Sequence, residues 1–101
     1  RREYLSQMIS RFRRHCEDLG LSLVPSQTPI QAVLIGNVET TLEASEQLME
    51  QGLFVSAIRP PTVPIGTARL RVTFSAMHTE EQFIKLLDAF ERCAHNWQKD
   101  L

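Results

Sequence analysis

Between Phe54 and Ser75 two short β-forming runs flank a segment that can be neither helix nor central strand, and this constrains the fold most. The segment is Arg59-Pro60-Pro61-Thr62-Val63-Pro64. Each proline fixes φ and lacks an N–H, so this spacing demands a stiff, extended loop. Gly66 ends it. Before the loop, Phe54 to Ile58 reads as a strand. After it, Arg69 to Ser75 alternates cleanly: Leu70, Val72 and Phe74 against Arg69, Arg71, Thr73 and Ser75. A period of two gives a strand with one apolar and one polar face.

Helical patterns surround this unit. From Arg1 to Leu19, apolar residues fall at Leu5, Met8, Phe12, Cys16 and Leu19, on one helical face. Arg11, Arg13, Arg14 and Glu17 cover the other sides, as a solvated surface does, and Gly20 is a natural stop. Pro25 and Pro29 bracket a polar connector. The β-branched run Ile30 to Ile35, closed by Gly36-Asn37, reads as a strand. A second helix is predicted from Thr40 to Gln51, with Thr40 and Glu43 at capping-box spacing. Leu42 (or Ser45), Leu48 and Met49 would form its apolar side, and Gly52 its end. Thr79 opens the last helix, with Gln82 in capping-box position and Glu80 and Glu81 favourable to the helix dipole. Phe83, Leu86, Leu87, Phe90, Ala94 and Trp97 make its buried stripe. The predicted order is α-β-α-β-β-α. It implies an α+β fold: one three-stranded sheet, antiparallel or mixed, with helices on one face.

At 101 residues and 43% hydrophobic content the chain can bury one core. A net charge of -1 gives no basic excess for nucleic acid and no acidic tail. The longest apolar runs, such as Ala32–Ile35, fall far short of the roughly 18 residues of a membrane span. Cys16 and Cys93 share no CxxC spacing and are expected to be reduced and partly buried, as in a cytosolic protein. The first residues, from Arg1, already read as helix, so an excised piece of a longer protein is expected. His15, His78 and His95 lack metal-ligand spacing, and no metal site is expected. No Ser, His and Asp set and no glycine-rich phosphate loop is present. The two lysines, Lys85 and Lys99, lie on the last helix, and neither looks like a desolvated Schiff-base lysine.

The polar face of the third strand is the candidate site. Burying each of Leu70, Val72 and Phe74 is worth roughly 1.5–3 kcal/mol, so these go to the helices. Arg69, Arg71, Thr73 and Ser75 are then forced to the opposite face, where water or a missing part of a longer protein would meet them. On periodicity alone two readings stand. The arginines are solvent-facing and pair with a nearby Glu, or one of them is an anion site, since a guanidinium fork grips a carboxylate bidentately. Both point the same way, so periodicity does not choose between them.

The stretch Gly52-Leu53-Phe54-Val55-Ser56-Ala57-Ile58-Arg59-Pro60-Pro61-Thr62-Val63-Pro64, running through Gly66-Thr67-Ala68-Arg69-Leu70-Arg71-Val72-Thr73 to Ser75-Ala76-Met77-His78-Thr79, resembles the end of an α-oxoamine synthase. The resemblance is dense from Gly52 to Thr79 and weaker over the rest. It implies the C-terminal small domain of a homodimeric pyridoxal-phosphate (PLP) enzyme of fold type I. Ala-Ile-Arg-Pro-Pro-Thr-Val-Pro is similar to the branch that condenses L-alanine with a pimeloyl thioester, on coenzyme A or acyl carrier protein, in biotin synthesis. Sister enzymes making aminoketobutyrate and aminolevulinate usually differ in this loop. By the resemblance Arg71 binds the amino-acid carboxylate, and Thr62 lies near the substrate. The family's PLP-binding lysine, its pyridinium-pairing aspartate and its ring-stacking histidine belong to the large domain. No catalytic or cofactor-binding residue is therefore expected in these residues, and the chain alone should be inactive. The alternatives are a sister synthase, such as 2-amino-3-ketobutyrate CoA ligase, and a stand-alone α+β ligand-binding module.

Overall fold

In the computed structural model, which describes residues 2–98, the alternation of the third predicted strand becomes a central strand with one sealed face. Arg1 and Lys99 lie outside the described residues. The elements are α1 (Arg2–Asp18), β1 (Ser22–Leu23), β2 (Ile30–Gly36), α2 (Val38–Glu50), β3 (Val55–Ile58), β4 (Ala68–Thr73) and α3 (Glu80–Gln98). The α+β class holds, but the sheet has four strands rather than three. Its order is β1-β2-β4-β3, and every pairing is antiparallel. The added strand is only Ser22–Leu23, too short to carry a periodic signal, and it is held by pairing with Val33 and Leu34.

All three helices contribute to one core. Val33, Ile35, Val55, Leu70 and Val72 point from the sheet into a layer built from Phe12, Cys16, Leu48, Phe83, Leu86 and Phe90. Phe12 lies at its centre, in edge-to-face contact with Phe74 (5.1 Å) and Phe90 (5.4 Å). Helix α1 is tied to α3 and the turn before it at three further points. Arg11 forms a bidentate pair with Glu80 at 2.9 Å and stacks over Phe83; the Tyr4 hydroxyl donates to the His78 carbonyl at 2.7 Å; the His15 ring meets the Leu87 carbonyl at 3.2 Å.

Local chemistry sets the helix ends. The Thr79–Gln82 capping box forms as read: Thr79 N–H donates to Gln82 Oε1 at 2.8 Å, and Gln82 N–H to Thr79 Oγ1 at 3.0 Å. Helix α2 differs. Its cap is Asn37, whose Oδ1 accepts from Thr40 N–H at 2.9 Å, so Thr40 lies inside the helix. Its buried face is Thr41, Ala44, Ser45 and Leu48, whereas Leu42 and Met49 are exposed. Small residues let α2 lie close to the sheet. The Thr41 hydroxyl is satisfied within its own helix, donating to the Asn37 carbonyl at 2.6 Å.

Gln31 is a buried polar residue on the helix-covered side. Its amide donates to the carbonyls of Thr28 (2.8 Å) and Ser26 (3.2 Å), and its oxygen accepts from Arg13. Fully bonded, it fixes the 24–29 connector to β2 without an unsatisfied group. Both cysteines are free; Cys16 is fully buried and Cys93 half-buried. Burial pushes the Cys16 thiol up to about 12, which makes it inert at neutral pH. Among the described residues no helix is long and apolar enough to cross a membrane.

Candidate functional site

The face of the sheet turned away from the helices carries the candidate site. Register places Ile30, Ala32 and Leu34 of β2, Ser56 and Ile58 of β3, and Arg69, Arg71 and Thr73 of β4 on it. These positions include no acidic side chain. The sequence had left open a strand arginine paired with a nearby Glu. Among the described residues neither Arg69 nor Arg71 has such a partner; the ion pair is Arg11–Glu80, in the helix layer.

The two arginines are not equivalent once register is known. Arg69 pairs across the strands with Leu34 on one side and Ile58 on the other. It is half-buried, and its Nε donates to the Thr67 carbonyl at 3.1 Å. Arg71 pairs with Ala32 and Ser56. Its side chain is exposed and, among the described residues, makes no hydrogen bond or ion pair. One fork is anchored between bulky apolar neighbours; the other is free between small ones. Sequence had no signal for this difference, because cross-strand partners are set by tertiary pairing. Ala32 and Ser56 were therefore missed as neighbours of the site.

Thr62 belongs to the same hairpin, in the loop between β3 and β4. Its side chain is exposed, and its N–H donates to the Arg59 carbonyl at 3.1 Å. The loop is braced at its far end, where the Thr67 N–H and hydroxyl both donate to the Pro64 carbonyl, at 3.1 and 2.5 Å. Gly36 and Gly66 let the end of β2 approach the loop. At Gly36, with φ +97°, a Cβ would stand 3.3 Å from the Gly66 carbonyl oxygen. Arg71 lies three residues inside β4 from the loop end, about 10 Å at roughly 3.3 Å per residue. No hydrogen bond joins Arg71 to Thr62 among the described residues.

At the opposite end of β4, His78 folds back on the chain. Its Nδ1 accepts from the Ser75 N–H at 3.0 Å, and its ring stacks on Phe54 at 3.8 Å. Burial lowers its pKa, favouring the neutral ring that this hydrogen bond requires. PLP is a different matter. The lysine among the described residues, Lys85, is exposed on α3, across the sheet from Arg71. The described residues thus offer no amine beside Arg71 and do not by themselves fit a PLP site.

The chain matches the family described as aminotransferase class I and II over residues 1–90. It is 55% identical, over 93 residues, to the 8-amino-7-oxononanoate synthase of Pseudomonas syringae pv. tomato, which covers 92% of this chain and 24% of that protein. Among solved structures it resembles the serine palmitoyltransferase of Sphingomonas wittichii, with a TM-score of 0.85 and 29% identity over 96% of this chain and 25% of that one. It also resembles the 8-amino-7-oxononanoate synthase of Francisella tularensis, with a TM-score of 0.77 and 26% identity over 94% of this chain and 28% of that one. The chain spans about a quarter of the length of the proteins it matches.

Proposed function

The chain belongs to the aminotransferase class I and II family, and on that footing we propose that it is the C-terminal small domain of an 8-amino-7-oxononanoate synthase. The full enzyme in this reading is a cytoplasmic, PLP-dependent homodimer. It condenses L-alanine with a pimeloyl thioester, carried on coenzyme A or acyl carrier protein, and releases carbon dioxide. Its 55% identity to a synthase of that name supports this branch over the serine palmitoyltransferase fold neighbour, at 29%.

One structural observation carries the role of this chain. Arg71 offers an unpaired guanidinium on a face without a carboxylate, between two small neighbours. There it binds the carboxylate of the amino-acid substrate through two parallel charge-assisted hydrogen bonds. This fixes the orientation of the amino acid before any bond changes. Thr62 presents a hydroxyl from a loop already held by its prolines, so ordering it on binding loses little entropy. PLP, held by the remainder of the enzyme, would supply an electron sink.

The test is the full-length protein with L-alanine and pimeloyl thioester, set in competition with serine or glycine and other acyl thioesters. Preferred formation of 8-amino-7-oxononanoate is the expected outcome. Preference for serine with a long acyl chain, or for glycine with a short one, would move the chain to a sister synthase. The 101-residue chain alone should show no PLP absorbance band and no binding of alanine. A bound band would contradict the division of labour proposed here.

A further inference from the structure

We propose that Ala32 and Ser56 are specificity-determining residues, which keep a slot open on both sides of Arg71 for the carboxylate and α-carbon of a small amino acid. Ser56 Oγ would donate a further hydrogen bond to that carboxylate. This inference rests on the role proposed for Arg71 and adds the walls of its site.

The sheet itself supplies the comparison. Arg69 and Arg71 project from one strand to one face, two residues apart. Leu34 and Ile58 flank the first; Ala32 and Ser56 flank the second. Directly opposed side chains on an antiparallel sheet have Cβ atoms about 4.5–5.5 Å apart. A leucine or isoleucine at that distance covers the stem of the arginine and fills the space a ligand would take. An alanine or serine leaves that space open. The pattern runs across three strands that are not contiguous in sequence, so the small residues are brought to Arg71 by register alone.

Ser56 adds chemistry to the gap. It is half-buried, and its hydroxyl makes no hydrogen bond among the described residues. It is thus an uncommitted donor on the residue directly opposite Arg71 on the neighbouring strand. A carboxylate has four lone-pair positions, of which a bidentate arginine takes two. A hydroxyl approaching from β3 can take a third. The ligand class follows from these neighbours: a small 2-amino acid, whose carboxylate meets Arg71 and whose α-carbon lies between an alanine and a serine.

The experiment uses the full-length holoenzyme and reads KM for L-alanine and for the pimeloyl thioester separately. Ala32→Leu, which gives Arg71 the kind of neighbour Arg69 has, should raise KM for alanine at least about tenfold, the loss of one charge-assisted hydrogen bond. KM for the thioester should not move. Ser56→Ala removes one oxygen, perturbs folding least, and should raise KM for alanine without moving KM for the thioester. Leu34→Ala, beside Arg69, should leave both constants alone. An unchanged alanine KM in Ala32→Leu and Ser56→Ala would overturn the slot, as would equal rises in both constants. Arg71→Lys, run alongside, separates the two levels. If it weakens alanine binding while the slot variants do not, only the slot falls; if it also has no effect, the role of Arg71 falls.

Discussion

On one face of the sheet Val33, Leu70 and Val72 are sealed beneath helices at 0% exposure, while on the other Arg71 and Thr73 lie open beside a half-exposed Ile30. The two sets alternate along the same strands, so neither can be moved without moving the other. Burial of apolar area, the dominant favourable term in folding, is concentrated on the first face. The second face carries an arginine that makes no hydrogen bond or ion pair among the described residues. With the role proposed for Arg71, the difference teaches that a strand can separate stability and recognition by parity of position. Changes on the helix side should be read in stability, and changes on the free side in substrate binding.

The sharpest way to break that comparison is Phe12→Ala. Phe12 is fully buried between Phe74 and Phe90, and its loss should destabilise the chain by about 3–5 kcal/mol in urea unfolding. A loss below about 1 kcal/mol would mean that the core closes without it. Next is Thr79→Ala, which removes half of a reciprocal capping box and should lower stability by about 1 kcal/mol with the helix otherwise intact.

A smaller effect is expected from pH. Burial lowers the His78 pKa below its ordinary 6.5, so near and below that value the unfolded chain binds more protons than the folded one. The contribution of His78 is present above 6.5 and lost as pH falls through its folded value. Urea midpoints on either side of pH 6.5 should diverge more for the parent than for His78→Gln. Equal divergence would mean that the Ser75–His78 bond does not couple to protonation. The smallest effect belongs to the free face: Arg71→Lys should change stability by no more than about 0.5 kcal/mol. A larger loss would make Arg71 a structural residue.

Much of this was legible from residue types and spacing. The Leu70, Val72 and Phe74 alternation located the sealed face, and Thr79 with Gln82 located a helix start, because both signals are local. The family resemblance of the chain was also legible, in the run from Gly52 to Thr79, and the similarity to known synthases bears it out. What was missed depended on distant partners. β1 is two residues long and exists because β2 is there to pair with it. The phase of α2 was misread because Leu42 and Met49 attract attention, while the buried positions are small or hydroxyl-bearing residues that only close packing selects. The Asn37 cap was read as the end of a strand rather than the start of a helix. At the site, alternation put both arginines on one face, and only register distinguished their neighbours.

The central claim is that Arg71, and not Arg69, holds the substrate carboxylate. It is tested most directly by the pair Arg71→Lys and Arg69→Lys in the full-length enzyme, with KM for L-alanine and kcat measured for each. A point ammonium cannot replace a bidentate fork, so Arg71→Lys should raise KM about tenfold or more and slow turnover. Arg69→Lys should stay near the parent, since Arg69 lies between Leu34 and Ile58 and its Nε already donates to the Thr67 carbonyl. Normal KM and kcat in Arg71→Lys, or an equal loss in both variants, would contradict the account.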